Sequence, residues 1–164
     1  MKVTDYTDPT QLEEIKIQMD VYNKTKRTPA IYDYWTCNDE SELFIIMQRF
    51  DGTLRDFYGD DKYNEITKEF VRDFSNQAAV IIDKVHQLGY LHNDIHDNNF
   101  FYKQLPNKKY KWFLGDWGRS KRLSEANYDT ESDNSGFSQI IKDLNFAIYM
   151  KSNTLHNDPS DEKE

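Results

Sequence analysis

Cysteine, positive charge and long apolar runs are all scarce in this sequence. Its 164 residues contain a single cysteine, Cys37. One cysteine excludes an intramolecular disulfide framework and is typical of a protein in a reducing compartment. The longest apolar runs, such as residues 43–47, are much shorter than a membrane span, and the first residues lack the apolar segment of a signal peptide. We therefore expect an intracellular, cytoplasmic protein with no membrane partner.

Acidic residues outnumber basic ones, because 29 aspartates and glutamates stand against 21 lysines and arginines, for a formal net charge of −8. A surface that binds phosphate backbones needs excess positive charge, so we expect no nucleic-acid partner. The aromatic share of 15% is higher than in a disordered chain and predicts a packed core. Together these features predict one folded domain over residues 1–150, followed by a polar tail over residues 151–164.

The periodicity of the apolar residues predicts a mixture of helices and strands. Leu12 and Ile15 fall on one face of a first helix, and two strand-like segments, 31–35 and 43–47, predict an antiparallel hairpin. Residues 120–136 are polar and are predicted to form a flexible segment. The predicted strands span residues 2–4, 31–35, 43–47, 98–104 and 109–115. The predicted helices span residues 10–22, 53–58, 64–88 and 137–150.

A polar loop between the longest predicted helix and the last strand pair carries the chemistry. Residues 90–101 contain Asp94 and Asn99, and Asp116 follows at the end of the second strand of the pair. Such a loop is an unusual way to build a core, but it can hold acidic and amide oxygens around a cation. Mg²⁺ takes oxygen ligands, commonly one or two carboxylates together with substrate phosphates. Asn99 and Asp116 could supply the protein oxygens, which would leave Asp94 to face an attacking hydroxyl.

These two segments resemble signatures of the protein kinase family. Residues 92–99, His-Asn-Asp-Ile-His-Asp-Asn-Asn, are similar to the catalytic loop pattern H-x-D-x-x-x-x-N, and residues 116–118, Asp-Trp-Gly, resemble D-F-G. The resemblance implies an α+β, protein kinase-like fold that uses ATP and Mg²⁺. It also implies that Asp94 is the catalytic base that accepts the proton of the substrate hydroxyl, and that Asn99 and Asp116 hold Mg²⁺.

The resemblance extends toward the amino terminus. Lys2 would be the strand lysine that contacts the α- and β-phosphates of ATP, and Glu14 would be its partner in the following helix, with Glu13 as the alternative. The residues implied to enclose the adenine are Met47 as the gatekeeper, Gln48, Arg49 and Phe50 as the hinge, and Phe101 as the apolar floor.

The resemblance covers residues 2–150. It implies a partial, reduced N-terminal lobe over residues 1–50, with few antiparallel strands and one helix, and a shortened, mainly helical C-terminal lobe over residues 51–150. In the last predicted helix, Asp143 resembles the aspartate that anchors the catalytic loop from a buried helix behind it.

The sequence also departs from the family pattern. The stretch before Lys2 has no room for the first two strands and their Gly-rich loop, and the chain ends without the later helices that help to dock protein substrates. Asn93 replaces the usual arginine, so we expect no switching through a phosphorylated activation loop. His96 replaces a lysine of Ser/Thr kinases, a change more frequent in small-molecule phosphotransferases. We therefore expect a truncated, atypical or virus-like kinase.

Three functions are compatible with these features. The first is ATP-dependent phosphoryl transfer to Ser/Thr hydroxyls of proteins. The second is a catalytically weak pseudokinase that binds and inhibits a partner kinase, and the third is a small-molecule phosphotransferase of the choline or aminoglycoside kinase type. If the protein is viral, its location would be the host cytoplasm. A zinc site built from His92 and His96, with Cys37 or His86, is disfavoured because the surroundings suit oxygen chemistry.

Overall fold

The computed structural model describes residues 2–5, 10–36, 42–59, 61–124 and 129–154, and it has the α+β composition that the sequence predicts. The strands are β1 (Lys2–Asp5), β2 (Ile31–Thr36), β3 (Glu42–Met47), β4 (Gly52–Thr53), β5 (Tyr90–Leu91), β6 (Phe100–Gln104), β7 (Tyr110–Leu114) and β8 (Lys121–Arg122). The α-helices of these residues are α1 (Thr10–Thr25), α2 (Lys68–Gln87) and α3 (Glu131–Thr154). No described helix combines the length and the apolar character that a bilayer crossing requires.

The amino-terminal sheet has the order β1-β3-β2, with all neighbours antiparallel. The central strand β3 is the continuous apolar run of the sequence, and its Leu43 and Ile45 are buried against Ile15 of α1. The pairing of β2 with β3 confirms the predicted hairpin, whose turn lies outside the described residues. In β2, by contrast, every residue after Ile31 is exposed.

Helix α2 forms the centre of the larger core. Its capping residue is Thr67, whose hydroxyl accepts a hydrogen bond from the backbone N–H of Phe70 at 3.1 Å. The helix therefore begins at Lys68 and not at residue 64, because this side chain satisfies a free N–H of the first turn. Phe74, buried on the core face, packs edge-on against Trp112 of β7, with ring centroids 5.0 Å apart.

Helix α3 is longer at its amino end than the sequence predicts. The expectation of a flexible segment up to residue 136 is wrong for residues 131–136, which are helical. The carboxylate of Asp129 accepts the backbone N–H of Glu131 at 2.8 Å and so satisfies a free N–H at the start of the helix. Acidic residues in the first turn also interact favourably with the helix dipole. The apolar stripe of α3 begins only later, at Phe137, which is why periodicity alone misses the first turn.

Two small sheets position the polar loops. Strands β4, β6 and β7 form one antiparallel sheet, and β5 pairs with β8 in the other. In the second sheet Leu91 lies opposite Lys121 and Tyr90 opposite Arg122. This pairing brings the segment that follows Asp116 alongside the start of the loop that contains Asp94.

Candidate active site

One residue of the loop over residues 92–99 and one on the neighbouring segment have backbone conformations that few side chains adopt. Asn93 has a φ of +59° and Asp116, on the neighbouring segment, has a φ of +62°. Left-handed φ values are uncommon outside glycine and persist where surrounding contacts enforce them. The ring nitrogen Nδ1 of His96 accepts the backbone N–H of Asn98 at 3.3 Å, and the loop then closes in a short 3₁₀ turn.

Asp94 and Asn99, which the sequence predicts to act together, are in contact. The amide nitrogen of Asn99 donates to the backbone oxygen of Asp94 at 2.8 Å and to its carboxylate oxygen Oδ2 at 3.2 Å. The imidazole Nε2 of His96 is 3.5 Å from the same Oδ2. Asn99 is buried, so these contacts fix one side of the Asp94 carboxylate.

A backbone hydrogen bond joins the Asp116 segment to the same loop. The N–H of Gly115 donates to the carbonyl oxygen of Asn99 at 2.9 Å. Glycine is required here by a close approach, because a Cβ on Gly115 would lie 2.7 Å from a ring carbon of Phe101. The two motifs are therefore neighbours in space as well as in the order of the chain.

The buried side chain of His92 supports the loop from inside the protein. Its ring is fully buried, and its Nε2 donates to the carbonyl oxygen of Gly115 at 2.9 Å. Burial lowers the pKa of His92, despite the opposing effect of the nearby carboxylates. Its Nδ1 has no hydrogen-bond partner among the described residues, so protonation there would bury an unpaired N–H. The ring therefore acts as a neutral spacer.

The geometry also weighs against the zinc alternative. The Nε2 atom of His92 is already bonded to a carbonyl, and that of His86 is bonded to a carboxylate of α3. Across the described ranges, no three His, Cys, Asp or Glu side chains converge in a way that could hold a metal ion. Cys37 lies outside those ranges.

The carboxylate that anchors the loop belongs to Asp133. Its oxygens accept the backbone N–H groups of His92 at 2.9 Å and Asn93 at 2.7 Å, and His86 Nε2 donates to it at 2.9 Å. Asp133 is fully buried in the first turn of α3. Burial by itself would raise the pKa of this carboxyl, but the hydrogen bonds from His86 and the two backbone groups lower it below its usual value.

The sequence-based assignment of this anchor to Asp143 is therefore wrong. Asp143 is exposed, and its carboxylate accepts a hydrogen bond from Gln139 one turn earlier on the same helix. The available signal was the capping pair Asp129 and Thr130, which places the start of a helix, and hence Asp133 in its first turn, directly after the polar segment.

A pocket of about 320 Å³ lies beside this loop. It brings together most of the residues that the family resemblance implies for nucleotide binding. Those residues are Glu14, Met47, Gln48, Phe50, Phe101 and Asp116. The pocket is also lined by Gln18, Pro29, Gly52 and Thr53, which the resemblance does not imply. Asp94 and Asn99 are not among the lining residues and are linked to the pocket through Gly115.

The floor of the pocket is aromatic and tightly packed. The ring of Phe50 contacts the rings of Phe101 and Phe113, with centroid separations of 5.4 Å and 4.8 Å. The backbone N–H of Gln48 donates to the carbonyl oxygen of Ala30 at 2.8 Å, which ties the strand end to the segment before β2. A largely apolar lining that includes the carboxylates of Glu14 and Asp116 suits a ligand with one apolar part and one ionic part.

The structure distinguishes Glu13 from Glu14, the two candidate partners of Lys2. Glu13 forms an ion pair with Arg122 at 3.0 Å, whereas Glu14 lines the pocket. A Cβ on Gly118 would lie 3.5 Å from Glu14 Oε2 and 3.7 Å from Asp116 Oδ1, so both carboxylates border this glycine. Lys2 lies opposite Ile45 in the sheet, but its side chain is outside the described part of the molecule, so its pairing with Glu14 stays a prediction.

Sequence comparison finds kinases at low identity. The chain is 23% identical over 158 residues to the serine/threonine-protein kinase CBK1 of Pneumocystis carinii, covering 86% of this chain and 29% of that protein. It is 24% identical over 158 residues to the serine/threonine-protein kinase PKH1 of Saccharomyces cerevisiae, covering 93% and 20%. The chain thus spans less than a third of the length of these relatives. No family model matches it.

Among solved structures, the chain is similar to the kinase PK-1 of the Cydia pomonella granulovirus. The TM-score is 0.68 at 15% sequence identity, over 87% of this chain and 57% of the viral one. At that identity the match establishes architecture, and activity is a separate question. One architecture accounts for the amino-terminal sheet with its helix, the helical half and the two polar loops. The chain therefore has a protein kinase-like fold.

Proposed function

We propose that this chain is an ATP-dependent, protein kinase-like phosphotransferase that acts on Ser/Thr hydroxyls of proteins. The observation that carries the proposal is the hydrogen bond between Gly115 and Asn99, which joins the loop of Asp94 to the segment of Asp116 at the edge of an apolar pocket. The low-identity kinase relatives support the same reaction class.

The residues around the pocket fit ATP and Mg²⁺. The aromatic floor of Phe50 and Phe101 suits adenine, and Asp116 offers a carboxylate where phosphates would follow. The amide nitrogen of Asn99 is used by Asp94, which leaves the amide oxygen as the atom with which Asn99 could bind a cation. When bound, Mg²⁺ would neutralise charge on the phosphates. Lys2 and Glu14 are the proposed pair that steadies the α- and β-phosphates.

In this proposal Asp94 orients the acceptor hydroxyl and takes its proton. The hydroxyl oxygen then forms a bond to the γ-phosphorus while the bond to the β-γ bridging oxygen breaks, and ADP leaves. Asn99 holds the carboxylate by its amide nitrogen, and His96 borders the same oxygen. Catalysis of this kind depends mainly on positioning and on charge stabilisation, which a loop fixed at both ends can provide.

The test is Asp94→Asn, compared with Asp97→Asn in the same loop. We expect the first change to reduce Mg²⁺-dependent phosphate transfer by about 10²- to 10⁴-fold while ATP binding persists, because it removes only the base. Asp97 pairs with Arg55 away from the pocket, so its variant should keep transfer. Transfer is followed with labelled ATP, and ATP binding by calorimetry. Undiminished transfer by Asp94→Asn would contradict the assignment.

One observation favours a second candidate, a weakly active pseudokinase that binds a partner kinase. Both oxygens of Asp94 are engaged, since Arg119 Nη1 lies 3.1 Å from Oδ1 while Asn99 donates to Oδ2. In this arrangement Arg119 competes with an acceptor hydroxyl for Oδ1. Co-purification with a kinase, combined with no transfer to mixed proteins or to small alcohols, would favour this candidate. Transfer to small alcohols alone would instead favour the small-molecule phosphotransferase.

A further inference from the structure

The segment directly after the Asp116 turn is basic, although the chain as a whole carries a net charge of −8. Arg119, Lys121 and Arg122 fall within four consecutive positions, and all three are exposed. A local excess of positive charge in an acidic protein is a recognition feature for an anionic ligand, because it attracts anions that the rest of the surface repels.

This basic segment is fixed next to the loop of Asp94. β8 pairs with β5, and the backbone N–H of Leu123 donates to the carbonyl oxygen of Gly89 at 2.9 Å. On its other side, the amide of Asn93 donates to the carbonyl oxygen of Arg119 at 3.3 Å. The basic segment therefore borders the loop that carries the Asp94 carboxylate.

Two of the three cations are available to a ligand. Arg122 is occupied, since its guanidinium pairs with Glu13 at 3.0 Å and lies 5.4 Å from the centre of the Tyr90 ring. Lys121 is exposed in the β5–β8 ribbon. Arg119 contacts Asp94, but its own side chain is 74% exposed, so its guanidinium remains accessible to a second anion. A second anion can therefore displace it.

Arg119 occupies the oxygen that an acceptor hydroxyl needs. Asp94 Oδ2 accepts from the amide of Asn99 and is bordered by His96, so Oδ1 is the less crowded oxygen for the nucleophile, and Arg119 Nη1 lies 3.1 Å from it. An anion that takes the guanidinium of Arg119 would free this oxygen. Binding such an anion and freeing the base are then one event.

We propose, on the assumption of the phosphotransferase activity above, that Arg119 and Lys121 select peptide substrates with acidic or phosphorylated residues beside the acceptor hydroxyl. The guanidinium of Arg119 exchanges the Asp94 carboxylate for a carboxylate or phosphate of the peptide, to which its planar fork can bind bidentately. Lys121 adds a second, less directional charge. The segment is thus a specificity element of the site.

Binding is tested first, without any requirement for turnover. Two fluorescent peptides of equal length carry one serine flanked by glutamates or by glutamines. We expect the wild type to bind the glutamate peptide on the order of tenfold more tightly at low salt, and less selectively at high salt. The double variant Arg119→Gln, Lys121→Gln should lose this preference. The matched variant Lys68→Gln, Lys142→Gln removes the same charge from exposed helix positions and should keep it.

Three results would overturn the proposal: no preference in the wild type, equal loss in both double variants, or tighter binding of a single-stranded oligonucleotide than of the glutamate peptide.

Phosphate transfer to the same peptides separates this proposal from the proposed function. Selective binding without transfer to either peptide would reject the phosphotransferase and retain the anionic docking segment. Transfer with equal KM for both peptides would retain the phosphotransferase and reject selection by Arg119 and Lys121, whereas a KM for the glutamate peptide that rises in Arg119→Gln, Lys121→Gln would support it.

Discussion

The two halves of the molecule differ in the size of their buried cores. In the described part of the amino-terminal sheet, the buried cluster consists of Ile15, Leu43 and Ile45. The other half has a far larger core around α2, with Trp112 and Phe74 at its centre. The candidate site residues Asp94, Asn99 and Asp116 all belong to the large-core half. The candidate site residues are therefore supported by the larger of the two cores.

The pocket takes its walls from both halves. Glu14 and Met47 come from the smaller cluster's helix and sheet, and Phe101 and Asp116 come from the other side. Helix α1 contacts both cores, since its Ile15 packs on the sheet while other buried residues of the helix join the larger cluster. Helix α1 therefore links the two cores beside the pocket.

The largest loss of stability is expected when the anchoring carboxylate of Asp133 is removed. We expect Asp133→Ala to lower the free energy of unfolding by about 3 to 5 kcal/mol, because two backbone N–H groups and His86 lose their buried partner. The measurement is denaturation in urea.

The control for this change is Asp143→Ala, on the same helix. Asp143 is exposed, so we expect less than about 0.5 kcal/mol. If Asp133→Ala does not fold, Asp133→Asn, which keeps one acceptor oxygen, should give an intermediate loss. Equal losses for positions 133 and 143 would show that the loop is not held by α3.

A second change tests whether the amino-terminal sheet unfolds independently of the large core. Leu43→Ala should cost about 2 to 5 kcal/mol within the sheet, since Leu43 is fully buried. If the sheet is a separate unit of lower stability, hydrogen exchange will accelerate for the amides of β2 and β3 and stay unchanged for α2. The matched change Ile81→Ala, in the large core, should accelerate exchange in both halves. Uniform acceleration by Leu43→Ala would remove the distinction.

A third change tests the close approach of α3 to the acidic loop. A Cβ on Gly136 would overlap the carbonyl oxygen of Ile95. We expect Gly136→Ala to cost about 1 to 3 kcal/mol through this overlap, partly offset by about 1 kcal/mol of helix propensity. Gly89→Ala is the contrast, because its φ is +83° with no atom near the new Cβ, so it loses about 1 kcal/mol from backbone strain alone. Only the Gly136 variant should also reduce phosphate transfer.

Sequence reasoning succeeded where side-chain pattern and local structure agree. The strand pairs and the grouping of Met47, Phe50 and Phe101 around one pocket follow from apolar runs and from a resemblance in the right order. It failed at Asp133, because a buried aspartate in a polar stretch carries no periodic signal. The contact of Arg119 with Asp94 was also missed, since it depends on the β5–β8 pairing of two-residue strands.

The smallest expected effect is on the pH dependence of stability, and it tests only the half with the large core. Burial lowers the pKa of His92, so the ring stays neutral in the folded protein while it protonates in the unfolded chain below its ordinary pKa of about 6.5. The unfolded state then binds more protons, and stability falls as the pH falls below that value. We expect a loss of stability between pH 7 and 5 that is absent in His92→Gln, whose amide can still donate to Gly115 but does not titrate. Asp133 contributes its own loss only below about pH 4, because its pKa is lowered as well. Urea denaturation across this range separates the two groups, and an unchanged slope in His92→Gln above pH 5 would mean that the buried ring does not control the acid stability of this half.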